Sequence, residues 1–105
     1  MASEETPVLD LLQNMTALSL EASDLEPQTL MIVRIAGLVA TDAPPASYLL
    51  NLGAAGELGV TADQITGILA ALAPIVGTAR ITSAAGKLMR AYGLKVGIED
   101  ALDEG

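Results

Sequence analysis

The groups able to do chemistry are few, and three of them stand together. Ser47, Tyr48 and Asn51, within "DAPPASYLLNLGAAGELGVT" (Asp42–Thr61), bring a hydroxyl, a phenol and a carboxamide within about one helical turn. A serine and an asparagine one turn apart form a donor–acceptor pair, and the phenol adds a third polar tip. Such a set can orient a small molecule. Serine attack needs an activating base, and no lysine or carboxylate stands within a turn of Ser47. The bland alternative for the trio is hydrogen bonding at a helix entry and packing. Arg34 and Arg80 are lone cations in apolar runs, suited to an ion pair or an anionic ligand. Arg80 with Lys87, two turns on, is the face for an anion; pairing with Glu57 or Asp63 is the structural alternative. Thr82 and Ser83 are assigned no chemistry.

What is missing bounds the function more tightly. The chain has no cysteine and no histidine. A disulfide, a thiolate nucleophile and thiol peroxidase turnover are excluded. The usual neutral-pH proton shuttle and the commonest transition-metal ligand are gone as well. Composition leaves a carboxylate site for magnesium or calcium open, but no acid-rich loop of the calcium-hand type appears, and the expectation is no metal and no cofactor.

Thirteen acidic against five basic residues give a net charge of −8. That sign disfavours nucleic acid, whose phosphates must be met by positive charge, and anionic membranes. The longest uncharged run, Gln64 to Ala79, contains Pro74 and Gly77. It falls short of the roughly 20 apolar residues a membrane-spanning helix needs. "MASEETP" lacks the features of a signal peptide, and a cytoplasmic location is the expectation. Hydrophobic residues make up 51% of the 105, with ten glycines besides. Ordinary domains hold roughly 45–50% with glycine included. A small domain cannot hide such a surplus. The expected cover is other subunits, in a homo-oligomer.

The elements that would position these groups are helices. Pro7 suits the first position of a helix beginning near Thr6, with Val8, Leu11, Leu12, Met15 and Leu18 on one face. A second helix after Glu26-Pro27 is apolar almost all round, which reads as central and buried. Asp42 to Pro45 marks the entry to a third helix, about Ala46 to Leu58, with Asp42 as a cap and Gly59 as a left-handed stop. "TADQ", Thr61 to Gln64, is a capping-box pattern opening a fourth, which Pro74 breaks or kinks. A fifth runs from about Thr78 until Gly93 ends or weakens it, and a short sixth spans Val96 to Leu102. Gly37, Gly53, Gly56, Gly67 and Gly86 lie inside these helices. Each costs on the order of 1 kcal/mol relative to alanine, so close approach of another backbone is expected at them.

Three blocks in this order carry a resemblance: "EPQTLMIVRIAGLVA" (Glu26–Ala40), "NLGAAGELGVTADQITGILAALAP" (Asn51–Pro74) and "LAPIVGTARITSAAGKLM" (Leu72–Met89). They resemble the carboxymuconolactone decarboxylase family, which includes the alkylhydroperoxidase D-like proteins, over about two-thirds of the chain. The family's peroxidases use a C-x-x-C pair, a histidine one turn on and a glutamate on the preceding helix. Registered on Gly59-Val60-Thr61, the cysteine positions fall at Pro44 and Ser47, the histidine at Asn51 and the glutamate at Met31. None of the four substitutes can perform the step. The resemblance thus implies a disarmed site on an inherited scaffold, and trimers or hexamers as the assembly.

The reading as a whole is one all-α domain over residues 1–105, of five to six helices, with flexible acidic ends at about 1–6 and 99–105. The leading function is a non-peroxidatic member acting in assembly, or binding a hydrophobic small molecule or partner protein in a cleft near Met31, Pro44, Ser47, Tyr48 and Asn51. The competing readings are a cysteine-free enzyme of the lactone decarboxylase kind, using Arg34, Tyr48 and Asn51, and a purely structural self-assembling subunit.

Overall fold

Four of the five helices begin at residues suited to a first turn. The computed structural model describes residues 6–104, with side chains as far as Gly93. Its helices are α1 (Pro7–Ser23), α2 (Pro27–Ala40), α3 (Pro45–Glu57), α4 (Ala62–Val76) and α5 (Thr78–Glu104). Proline opens α1, α2 and α3, where its missing N–H has no helical partner to lose. Thr61 opens α4 with the full capping box. Its Oγ1 accepts from the Gln64 N–H at 3.1 Å, and its own N–H donates to Gln64 Oε1 at 2.9 Å.

Two boundaries differ from the expectation. Pro74 lies in the last turn of α4 without ending it, because a proline there removes only one hydrogen bond of a helix about to stop. The break is Gly77, at φ +87° and ψ 167°, a conformation open essentially to glycine alone. Gly93 does not end α5, which continues as one helix to Glu104, so among the described residues Val96 to Leu102 belong to α5 and form no separate sixth helix. Glycine weakens a helix by about 1 kcal/mol but does not by itself stop it. The acidic ends expected at about 1–6 and 99–105 lie largely outside the described residues.

The core sits where α2, α3, α4 and α5 meet. α2 contributes Met31, Ile35 and Val39 at steps of four, and α3 contributes Tyr48, Leu52 and Ala55. α4 adds Ile68, and α5 adds Ala84, Leu88 and Ala91. The alanines let α5 approach α3 closely. The centre of α2 is buried, while Val33 on its outer side is 52% exposed. α1 stands apart: none of its residues is buried, and it makes no extended contact with any other helix. Among the described residues, no helix is long and apolar enough to cross a membrane.

Four of the interior glycines do not mark close approaches within the chain. A Cβ at Gly37, Gly53, Gly67 or Gly86 would meet nothing within 4 Å. Gly59 is different. At φ +87° the backbone of the turn between α3 and α4 favours glycine, while the 2.8 Å approach of a Cβ to Gln28 Nε2 would fall on the end of a flexible side chain that can move aside.

Candidate functional site

The residues singled out by type and spacing fall into three separate places. The first is a groove of about 1140 Å³ between α1, α2 and α3. Met31, Arg34 and Asn51 line it, together with apolar residues such as Leu20, Leu38 and Leu50. Its α1 wall is held by one cation. Arg34 Nη2 donates to the Thr16 carbonyl at 3.2 Å and to Ser19 Oγ at 3.4 Å. Arg34 is therefore not paired with Glu57 or Asp63 but ties α1 to α2. The Asn51 carboxamide is also engaged, since Nδ2 donates to the Ser47 carbonyl one turn back at 2.8 Å.

The second place is the core itself. Tyr48 follows Ser47 directly and so points about 100° away from it around α3. The ring is fully buried among the core side chains and does not line the groove. Its hydroxyl is buried without a hydrogen-bond partner among the described residues. Burial raises the phenol's pKa above the usual tyrosine value, and the Asp42 charge adds to the rise. Ser47, Tyr48 and Asn51 thus do not converge on one cavity. The side chain that would complete a polar cleft instead fills the space between α2, α3 and α5. Pro44 is exposed at the start of α3, where it is the N-cap without a side-chain capping bond.

The third place is the α2–α3 connection, gripped by α5. Arg80 Nη1 donates to the Ala40 carbonyl at 2.9 Å. Lys87 Nζ meets Asp42 Oδ1 at 2.9 Å and donates to the Ala43 carbonyl at 2.9 Å. Ser83 Oγ donates to the same Asp42 oxygen at 2.7 Å. Hydrogen bonds from Lys87 and then Ser83 hold the Asp42 carboxyl below the ordinary carboxylate range. Asp42 is thus not the cap of α3; its carboxylate turns to α5, and its backbone is left-handed at φ 54°. Arg80 and Lys87 do share a face, but they spend it on the carbonyl end of α2, where cations are favoured.

Ser83 and Asp42 were the residues whose role spacing alone did not reveal. The available signal was the run Arg80, Ser83, Lys87, spaced three and four apart along one side of α5. What it faced was invisible, because Asp42 lies 41 and 45 positions away from Ser83 and Lys87.

A smaller depression of about 160 Å³ lies between the α3–α4 turn and Tyr92, and it holds none of the candidate residues. Comparison with known proteins adds no relative: no family, no curated protein and no solved structure matches this chain.

Proposed function

We propose that this chain is a non-catalytic, self-associating helical module, carrying a disarmed decarboxylase-like site. The observation that carries the reading is α1, a helix of 17 residues with none buried. Val8, Leu11 and Leu18 are 65–67% exposed, and Leu9, Leu12, Met15 and Leu20 are open too. The chain presents 7191 Å² of accessible surface, against about 5,500 Å² for a closed domain of 10.7 kDa. Its radius of gyration of 14.9 Å exceeds the roughly 13 Å of a compact domain of this length.

The inherited scaffold is supported by local features. The helix, the glycine–valine–threonine turn and the following helix of the resemblance correspond to α3, Gly59–Thr61 and α4. The enzymatic alternative finds little support in the geometry, since Tyr48 is turned into the core while Arg34 and Asn51 line the groove. Sedimentation equilibrium tests the proposal. A dimer or larger assembly at low micromolar concentration is expected, and a well-behaved single subunit there would sink it.

A second reading is favoured by the groove. An apolar trough with Arg34 in its wall suits a hydrophobic molecule bearing an anionic group. A long-chain carboxylate should raise the melting temperature, and Arg34→Met should reduce that rise; no rise at any concentration rejects this reading.

A further inference from the structure

The exposed apolar residues of α1 have a repeat that a simple amphipathic helix does not require. Val8, Leu11, Met15, Leu18 and Ala22 follow one another at steps of three, four, three and four. That is the 3.5-residue spacing of a seam between two paired helices, with Val and Met at one core position and Leu at the other. The four large members all face solvent, at 67%, 65%, 57% and 65% exposure. The groove takes a different flank of α1, through Thr16, Ser19 and Leu20, and shares only Met15 with the seam. So the seam remains open after α1 has made its contacts with its own chain.

We propose that this seam pairs with α1 of a second copy, antiparallel across a two-fold axis. The inference rests on the self-association reading above and names the surface that performs it. Two observations select a second copy. First, a seam of this spacing is its own complement. In the antiparallel register Val8 meets Leu18 of the second copy, and Leu11 meets its Met15, so all four large residues are covered at once. Second, the positions flanking the seam are Leu12, Asn14, Ser19 and Glu21, with one charge among them. Flanking charges are what select a different partner, and here there is almost nothing to select with. Direction follows from the helix dipoles, which oppose each other when the two helices run antiparallel and reinforce each other when they run parallel.

The pairing imposes an even number of subunits, because every copy is joined to one other by a two-fold. The double variant Leu11→Glu with Leu18→Glu places carboxylates at the centre of the seam. Its mass by sedimentation should fall at least twofold relative to the unaltered chain, with the helical circular dichroism unchanged. The absence of native cysteine permits a second test. Leu11→Cys and Met15→Cys, made as separate variants and mixed under mild oxidation, should cross-link to each other and neither to itself. An unaltered chain that is monomeric at tens of micromolar overturns both the self-association and this pairing. An odd-numbered assembly, a double variant of unchanged mass, or single cysteine variants that dimerise with themselves leave self-association standing and overturn the pairing.

Discussion

α1 and the four helices behind it are built from similar residues but meet different surroundings. Both α1 and α2 begin with proline, both are rich in Leu, Val and Met, and their lengths are close. In α2 the apolar residues at steps of four become Ile35 and Val39, each fully buried. In α1 the equivalent residues stay in solvent. The difference lies in neighbours: α2 is flanked by α3, α4 and α5, whereas α1 is tied to α2 mainly through Arg34 and forms one wall of an open groove. Hydrophobic composition therefore marks a surface that needs a cover, and only the packing tells whether the cover belongs to the same chain.

The contrast can be broken most forcefully in the core. Ile35→Ala should cost about 2–5 kcal/mol of unfolding free energy in a urea titration, since it leaves a cavity among four helices. Leu11→Ala in α1 should alter the stability of the monomeric fold by less than about 0.5 kcal/mol. Comparable losses at the two sites would erase the distinction.

Tyr48→Phe sharpens it next. Removing a buried hydroxyl without a protein partner should stabilise the fold, by about 1 kcal/mol or more. The phenol's raised pKa adds a sign. The neutral form is favoured in the folded state, so its contribution is whole below the ordinary tyrosine pKa of 10.0 and is lost as pH rises through the folded value. Stability should therefore fall above about pH 10 in the unaltered chain, and less steeply in Tyr48→Phe.

Smaller effects attach to the glycines. Gly67→Ala and Gly86→Ala have open space for the new methyl and helical backbone around it. Each should raise the melting temperature, corresponding to about 0.5–1 kcal/mol. If either instead lowers the mass of the assembly, that glycine sits against a neighbouring copy.

The least effect is expected at the α5 clamp. The Asp42 carboxyl has a depressed pKa, so the stability it lends is complete above the ordinary value near 3.8 and fades as pH falls below it. Lys87→Met should flatten the acid side of a pH titration of melting temperature, by lowering the melting temperature slightly at pH 7 and leaving it unchanged where the Asp42 carboxyl is protonated.

Helix starts were legible because their causes are local. Proline at a first position and the Thr61–Gln64 box depend on residues within one turn of each other, and both appear where the spacing placed them. The helix ends were less so. Pro74 and Gly93 looked like stops, but a proline in a last turn and a lone glycine inside a long helix each cost too little to decide the matter. The candidate cleft divided for another reason. Ser47 and Asn51 share a side of α3 by spacing alone, yet which side faces the core depended on where α2 and α5 lay, and they took Tyr48.

Composition was thus enough to remove thiol and imidazole chemistry, since a missing side chain is missing in any fold. Local periodicity was enough to set out the helices, because backbone hydrogen bonds and caps reach only four residues along the chain. Which apolar face became interior, which cation held a carboxylate 45 positions away, and which helix was left uncovered came from the packing of α2 to α5. Those choices rest on contacts between distant segments, and such contacts are paid for by burial summed over the whole domain rather than by any one stretch of residues.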